Sequence, residues 1–84
     1  WFYNRSIILR RFAGTFPGTA LADMGKEHLD LFFSSPPVSG FSPKSRNHHR
    51  ASLRQFFAWA VRKEYMARDH RLEEADAMRP ERVN

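Results

Sequence analysis

Apolar residues in the middle of the chain recur with a helical period. Leu53, Phe56, Phe57, Ala60 and Val61 stand at i, i+3, i+4, i+7 and i+8, a single stripe at 3.6 residues per turn. Ser42 supplies a capping hydroxyl and Pro43 sits where its missing N–H costs nothing, so a long helix is predicted from Ser42 to about Met66. Upstream, Trp1, Ile8, Leu9, Phe12 and Phe16 share one face, predicting a helix from Trp1 to about Phe16 that ends at Gly14 and the Phe16-Pro17-Gly18 corner. Leu21 and Met24 read as core plugs in a connector. Gly25 to about Ser34 reads as a short helix with Gly25 as N-cap and Leu29, Phe32 and Phe33 inward. Ser34 to Ser42 (SSPPVSGFS) is a loop, because Pro36, Pro37 and Gly40 interrupt any helix; Val38 and Phe41 pin it to the core, with His49 or the stem of Arg46 as the contact for Phe41. A last helix is predicted from Arg71 to about Met78, with Leu72, Ala75 and Met78 inward and Asp69 as its cap. Pro80 ends it, and residues 79–84 read as extended. The pattern is that of an all-α domain, a compact orthogonal bundle of four main helices.

Length and composition narrow this further. Eighty-four residues make one small domain with a modest core. With no cysteine, helix packing must supply the stability that disulfides or thiolate metal sites give other small domains. Eight Phe, two Trp and two Tyr are a rich supply of buried area for it. No apolar run is long enough to span a bilayer and no signal peptide is evident, so a soluble, cytoplasmic protein is the expectation. The sequence opens at Trp1 inside a helical pattern and reads as a piece of a longer protein.

The placement of charge changes the picture more than its size. The net charge is +5, but Phe41 to Arg71 alone carries eight Lys/Arg against two Asp/Glu. Arg46, Arg50 and Arg54 recur every four residues and form a ridge beside the apolar stripe. Lys44, Ser45, Asn47 and His48 crowd the first turns of the same helix, and Lys26 stands in the first turn of the preceding one, where backbone N–H groups attract anions. Such a focus suits a polyanion such as double-stranded DNA. It is equally what a solvated basic helix face looks like, and charge alone supports both.

Other chemistry finds little footing. His48 and His49 are adjacent and point about 100° apart on a helix, while His28 and His70 are isolated, so no metal site is expected. His49 falls near the apolar stripe and reads as a packing residue. Ser45 and His49 lack a carboxylate to orient the imidazole. Glu73, Glu74 and Asp76 read as a solvated acidic cluster. Trp59 lies at the edge of the stripe and reads as a wall of the core against the first helix, and Arg10 and Arg11 as its solvent face. No cofactor is implied.

The stretch SPKSRNHHRASLRQFFAWAVRKEYM resembles the N-terminal core-binding (SAM-like) domain of the tyrosine recombinase, or phage integrase, family. In that family a Thr or Ser opens a long helix, here Ser45. An N-x-H run follows, here Asn47 to His49, then an LR-x-FF-x-WA body, here Leu53 to Ala60, and a structural aromatic, here Tyr65. Two positions depart from it: Met24-Gly25 replaces a Thr or Ser, and Asp69-His70 replaces an Asn-Pro pair. The resemblance implies a DNA-binding domain over 1–79 and, over 80–84, the start of a linker to a C-terminal catalytic domain that this sequence lacks. It implies no enzymatic activity in this stretch alone, duplex DNA clamped beside a cleavage site during integration or recombination, and other recombinase protomers as partners on that DNA. The implied contacts are Lys44, Ser45, Arg46, Asn47, His48, Arg50 and Arg54, with Lys26 beside them. Two alternatives remain: a helix-turn-helix regulator, which the long SSPPVSGFS loop disfavours, and a helical protein-interaction module that binds another chain through Trp59 and the acidic last helix.

Overall fold

The computed structural model describes residues 5–83, apart from the side chain of Asp69. The expected contribution of Trp1 to the first helix, and the capping role of Asp69, therefore lie outside the described residues. Three α-helices appear among the described residues: α1 (Arg5–Thr15), α2 (Lys26–Ser34) and α3 (Pro43–Arg62).

Local chemistry explains their ends. Beyond α1, Thr19 N–H bonds to the Phe16 carbonyl with Pro17 and Gly18 between them. Gly18 has φ +84°, which the third position of a type II turn requires and a side chain disfavours. At the start of α2, Gly25 brings no side chain; the missing cap comes from inside the helix, where His28 Nδ1 accepts the Gly25 N–H at 2.9 Å. At the start of α3, Ser42 Oγ accepts the Ser45 N–H and Pro43 occupies the first turn, as the sequence predicts.

The far end of α3 differs from expectation. It stops at Arg62, four residues before Met66. Glu64 N–H bonds to the Val61 carbonyl and Tyr65 N–H reaches back to Ala60, while Glu64 takes φ +62°. This is a Schellman stop with a glutamate at the left-handed position that glycine usually fills.

The core lies between the three helices and the C-terminal segment. Phe12 of α1 sits at the junction, with ring centroids 5.1 Å from Phe32 of α2 and 6.0 Å from Phe57 of α3, both edge-on. Met24, Leu29, Phe33, Val38, Leu53, Ala60 and Met66 complete this buried cluster with Leu72, Ala75 and Met78. Of the predicted stripe, Leu53, Phe57 and Ala60 are buried, and Phe56 and Val61 are partly so. α1 and α3 run in opposite directions: Arg11 meets His49, whereas Arg5 and Leu9 lie beside Phe56, Trp59 and Arg62. Val38, in a short 3₁₀ turn, pins the loop; Phe41 packs its ring 5.4 Å from His49, one of the two expected contacts.

The fourth helix is a correction. Residues 68–78 form three single 3₁₀ turns, Arg68–His70, Leu72–Glu74 and Asp76–Met78. Arg71 interrupts them in the left-handed region (φ +50°) and Ala75 in an extended conformation. The stretch is too short to nucleate an α-helix easily, and the Ala77 and Met78 carbonyls are held by arginine side chains of α3. Leu72, Ala75 and Met78 still face inward, because a spacing of three suits 3₁₀ turns as well as it suits an α-helix. His70 fastens this segment to the connector by a hydrogen bond to the Met24 carbonyl.

Candidate nucleic-acid interface

The predicted contact residues divide in the structure into those turned inward and those left outward. Arg46, Asn47 and Arg50 turn toward the C-terminal segment and converge on Glu81. Arg46 grips its carboxylate with two parallel bonds, Nε to Oε2 at 2.5 Å and Nη2 to Oε1 at 2.7 Å. Arg50 Nη1 adds a third donor to Oε2 at 2.7 Å. Asn47 holds the backbone of the same residue from both sides: its Oδ1 accepts Glu81 N–H at 2.9 Å and its Nδ2 donates to the Glu81 carbonyl at 2.8 Å.

Each arginine is also anchored away from Glu81. Arg46 Nη1 donates to the carbonyls of Ser39 and Phe41 in the preceding loop. Arg50 donates from Nε to the Ala77 carbonyl at 2.7 Å and from Nη1 to Asn47 Oδ1, with its guanidinium 4.8 Å above the Phe33 ring. Only 7% of Arg50 is exposed. Charge-assisted bonds of this kind set the titration of the pair. The hydrogen bonds from Arg46 and then Arg50 pull the Glu81 carboxyl down to about 2, and Glu81 in turn raises Arg46 above its ordinary value.

The remaining predicted contacts are arranged differently. Arg54 is exposed and spends one N–H on the Met78 carbonyl at 3.1 Å. Lys44 is fully outward, and Ser45 and His48 are half-buried. Ser45 contributes its backbone, its N–H to the Ser42 cap and its carbonyl to His49. Lys26 is exposed on the first turn of α2. Of the ridge expected along Arg46, Arg50 and Arg54, the first two are therefore anchors for residues 77–81, while Arg54 stays exposed with one bond to that segment. The outward row of α3 is carried by Lys44, Ala51, Gln55, Ala58 and Arg62.

Sequence reasoning missed two participants. Glu81 reads as linker because its partners lie 31 to 35 residues away and no periodicity connects them. Arg11 reads as solvent face, yet its Nη1 donates to His49 Nε2 at 2.8 Å and its guanidinium lies over Phe41. Arginine only donates, so His49 Nε2 is the acceptor, and Nδ1 carries the proton that goes to the Ser45 carbonyl at 2.7 Å. Burial lowers the affinity of this neutral imidazole for a second proton, and the Arg11 charge acts in the same direction. Position 11, on the border of the Ile8–Phe12 face, is the one sequence signal for this contact.

Trp59 also departs from its expected place. It is 39% exposed, stacked on Phe56 and leaning on Tyr65, and it forms one side of an open cleft of about 560 Å³ with Leu9, Arg5 and Arg62.

α3 has a further property that matters for any polyanion. Its 20 residues contain five Lys/Arg and no Asp or Glu. Among the described residues Lys44, Arg54 and Arg62 make no ion pair. No protein-family model, curated protein or solved structure matches this chain.

Proposed function

We propose that this chain is a DNA-binding helical module, the core-binding domain of a tyrosine recombinase or phage integrase. In this reading it clamps duplex DNA beside the cleavage site, while a separate domain supplies the catalytic arginines and tyrosine. The observation that carries the reading is the acid-free α3, whose exposed cations Lys44, Arg54 and Arg62 make no ion pair among the described residues, while Arg46 and Arg50 share the single carboxylate of Glu81. A helix of this length that presents only positive charge is suited to run along phosphates, each neutralised phosphate releasing a counterion. Small residues at Ala51 and Ala58 between the cations allow close approach of the helix to a backbone. Most such contacts position a duplex, and base reading falls to the few side chains that reach a groove edge.

The test is fluorescence anisotropy of a labelled duplex across a salt series. The expected dissociation constant is about 10⁻⁴–10⁻⁶ M, with a steep loss of affinity as salt rises. Lys44→Glu and Arg62→Glu should each weaken binding and flatten the salt slope while leaving the melting temperature in place, since neither side chain has an ion-pair partner among the described residues. A folded protein that binds no duplex at low salt overturns the reading.

One observation favours a second reading, a helical protein-interaction module. The exposed Trp59 cleft, apolar along Leu9 and Phe56 and flanked by Arg5 and Arg62, has the form of a docking groove. Loss of partner binding in Trp59→Ala, with no DNA effect from Lys44→Glu, would decide for it. A helix-turn-helix regulator has less support, since residues 35–42 with their 3₁₀ turn separate α2 from α3 where a turn of three or four residues is needed.

A further inference from the structure

The Glu81 carboxylate occupies the position an oxyanion would take. Three N–H groups from two arginines converge on its two oxygens, the geometry by which arginines hold phosphate. The two guanidiniums do not depend on Glu81 for their aim. Arg46 is tied to the loop carbonyls of Ser39 and Phe41, and Arg50 to the Ala77 carbonyl and the Phe33 ring. The segment that brings Glu81 in, by contrast, is held by polar bonds alone. Met78 is the last core residue; Arg79, Pro80 and Arg82 are exposed and Val83 is 52% exposed. Removing residues 79–83 from α3 therefore opens no apolar core, and a second anion could replace every charge contact that is lost.

We propose that Arg46, Arg50 and Asn47 form a phosphate-class anion site that Glu81 keeps shut, so that a DNA backbone phosphate and Glu81 compete for the same two arginines. The competition with DNA rests on the DNA-binding reading above; the anion site itself rests on the geometry of the arginines. Duplex binding would then release residues 79–83 from α3, and their redocking would favour DNA release. The acid is an internal competitor, and it lowers the apparent affinity by the fraction of time it occupies the site. Because Glu81 stays ionised down to strongly acid pH, the competition should respond to salt and not to physiological pH.

Two measurements on the chain as it stands test this. In the first, Glu81→Gln and the control Asp30→Asn, which removes an exposed charge from α2, are titrated with labelled duplex. Glu81→Gln is expected to bind about 10-fold tighter than the parent and Asp30→Asn no more than about 2-fold tighter. Equal gains from the two variants would overturn the competition and leave the DNA-binding reading standing. In the second, pyrophosphate is added to Glu81→Gln while the Nε–H resonances of Arg46 and Arg50 are followed by NMR. Saturable movement of both supports the site, even in a protein that binds no duplex, in which case the DNA reading fails alone. Resonances that stay still at high pyrophosphate overturn the anion site. Should Glu81→Gln not fold, the parent chain decides: pyrophosphate must move the Glu81 amide together with both arginine resonances, and independence of the three sinks the proposal.

Discussion

The two halves of α3 are fastened to the rest of the domain by different physics. From Pro43 to Arg50 the inward contacts are polar: two guanidiniums, one amide and one neutral imidazole, each bonded to partners distant in sequence. From Leu53 to Ala60 they are apolar, with Leu53, Phe57 and Ala60 packed on Phe12, Phe32 and the C-terminal turns. The apolar half depends on area removed from water, which neither salt nor pH changes much. The polar half depends on directed bonds between charges, which both can loosen. The same helix therefore joins a part that must stay closed to a part that solution conditions can open, and the basic residues lie mainly on the second.

The largest test of this contrast falls on the apolar half. Phe57→Ala should cost about 3–5 kcal/mol and leave the domain unfolded or barely folded near room temperature. Thermal denaturation by circular dichroism would show it, and an unchanged midpoint would mean that the core has been assigned to the wrong face. In the polar half, Arg50→Met keeps an unbranched stem but deletes the guanidinium over Phe33 and its bonds to the Ala77 carbonyl and to Glu81; a loss of about 2–3 kcal/mol is expected by urea titration. A cost of 4 kcal/mol or more would erase the distinction between the halves.

Glu81→Gln should cost less, about 1–2 kcal/mol at neutral pH, because the carboxylate is partly solvated and screened. Its pH dependence gives the sharper result. The folded carboxyl titrates at about 2, below its ordinary value of 4.5, so its contribution is complete above 4.5 and disappears as pH falls toward 2. The parent and the variant should thus converge in stability across that window. A difference that persists to pH 2 would show that the ion pair is not its source. The smallest expected effect is at the end of α3: Glu64→Gly relieves a left-handed glutamate and should raise stability by about 0.5–1 kcal/mol despite the looser unfolded chain. A loss instead would assign the Glu64 side chain a contact that outweighs its backbone.

What the sequence reveals of this molecule follows the range of the interactions. The start of α3 is written in adjacent letters, Ser42 and Pro43, and its buried face in a local period, so both are legible. Leu72, Ala75 and Met78 are legible as inward residues but not as an α-helix, since a spacing of three fits two kinds of turn. The fate of Arg46 and Arg50 is not legible: a basic ridge that meets solvent and one that meets an acid more than thirty residues away have the same spelling. Glu81 carries no periodic signal, and its neighbour Pro80 points to a linker. The helix that carries the basic residues is thus legible, but not which of its arginines an acid holds.

Asn47 has a consequence of its own. It bonds both the N–H and the C=O of a single residue, as a neighbouring strand would, and so fixes the direction of the chain at Glu81 as well as its position. Aspartate would have no donor for the carbonyl, and leucine would have neither bond. While these two bonds hold, the backbone at Glu81 is fixed against α3 in position and direction. A single amide on α3 thereby sets the compass bearing on which the chain departs from the bundle.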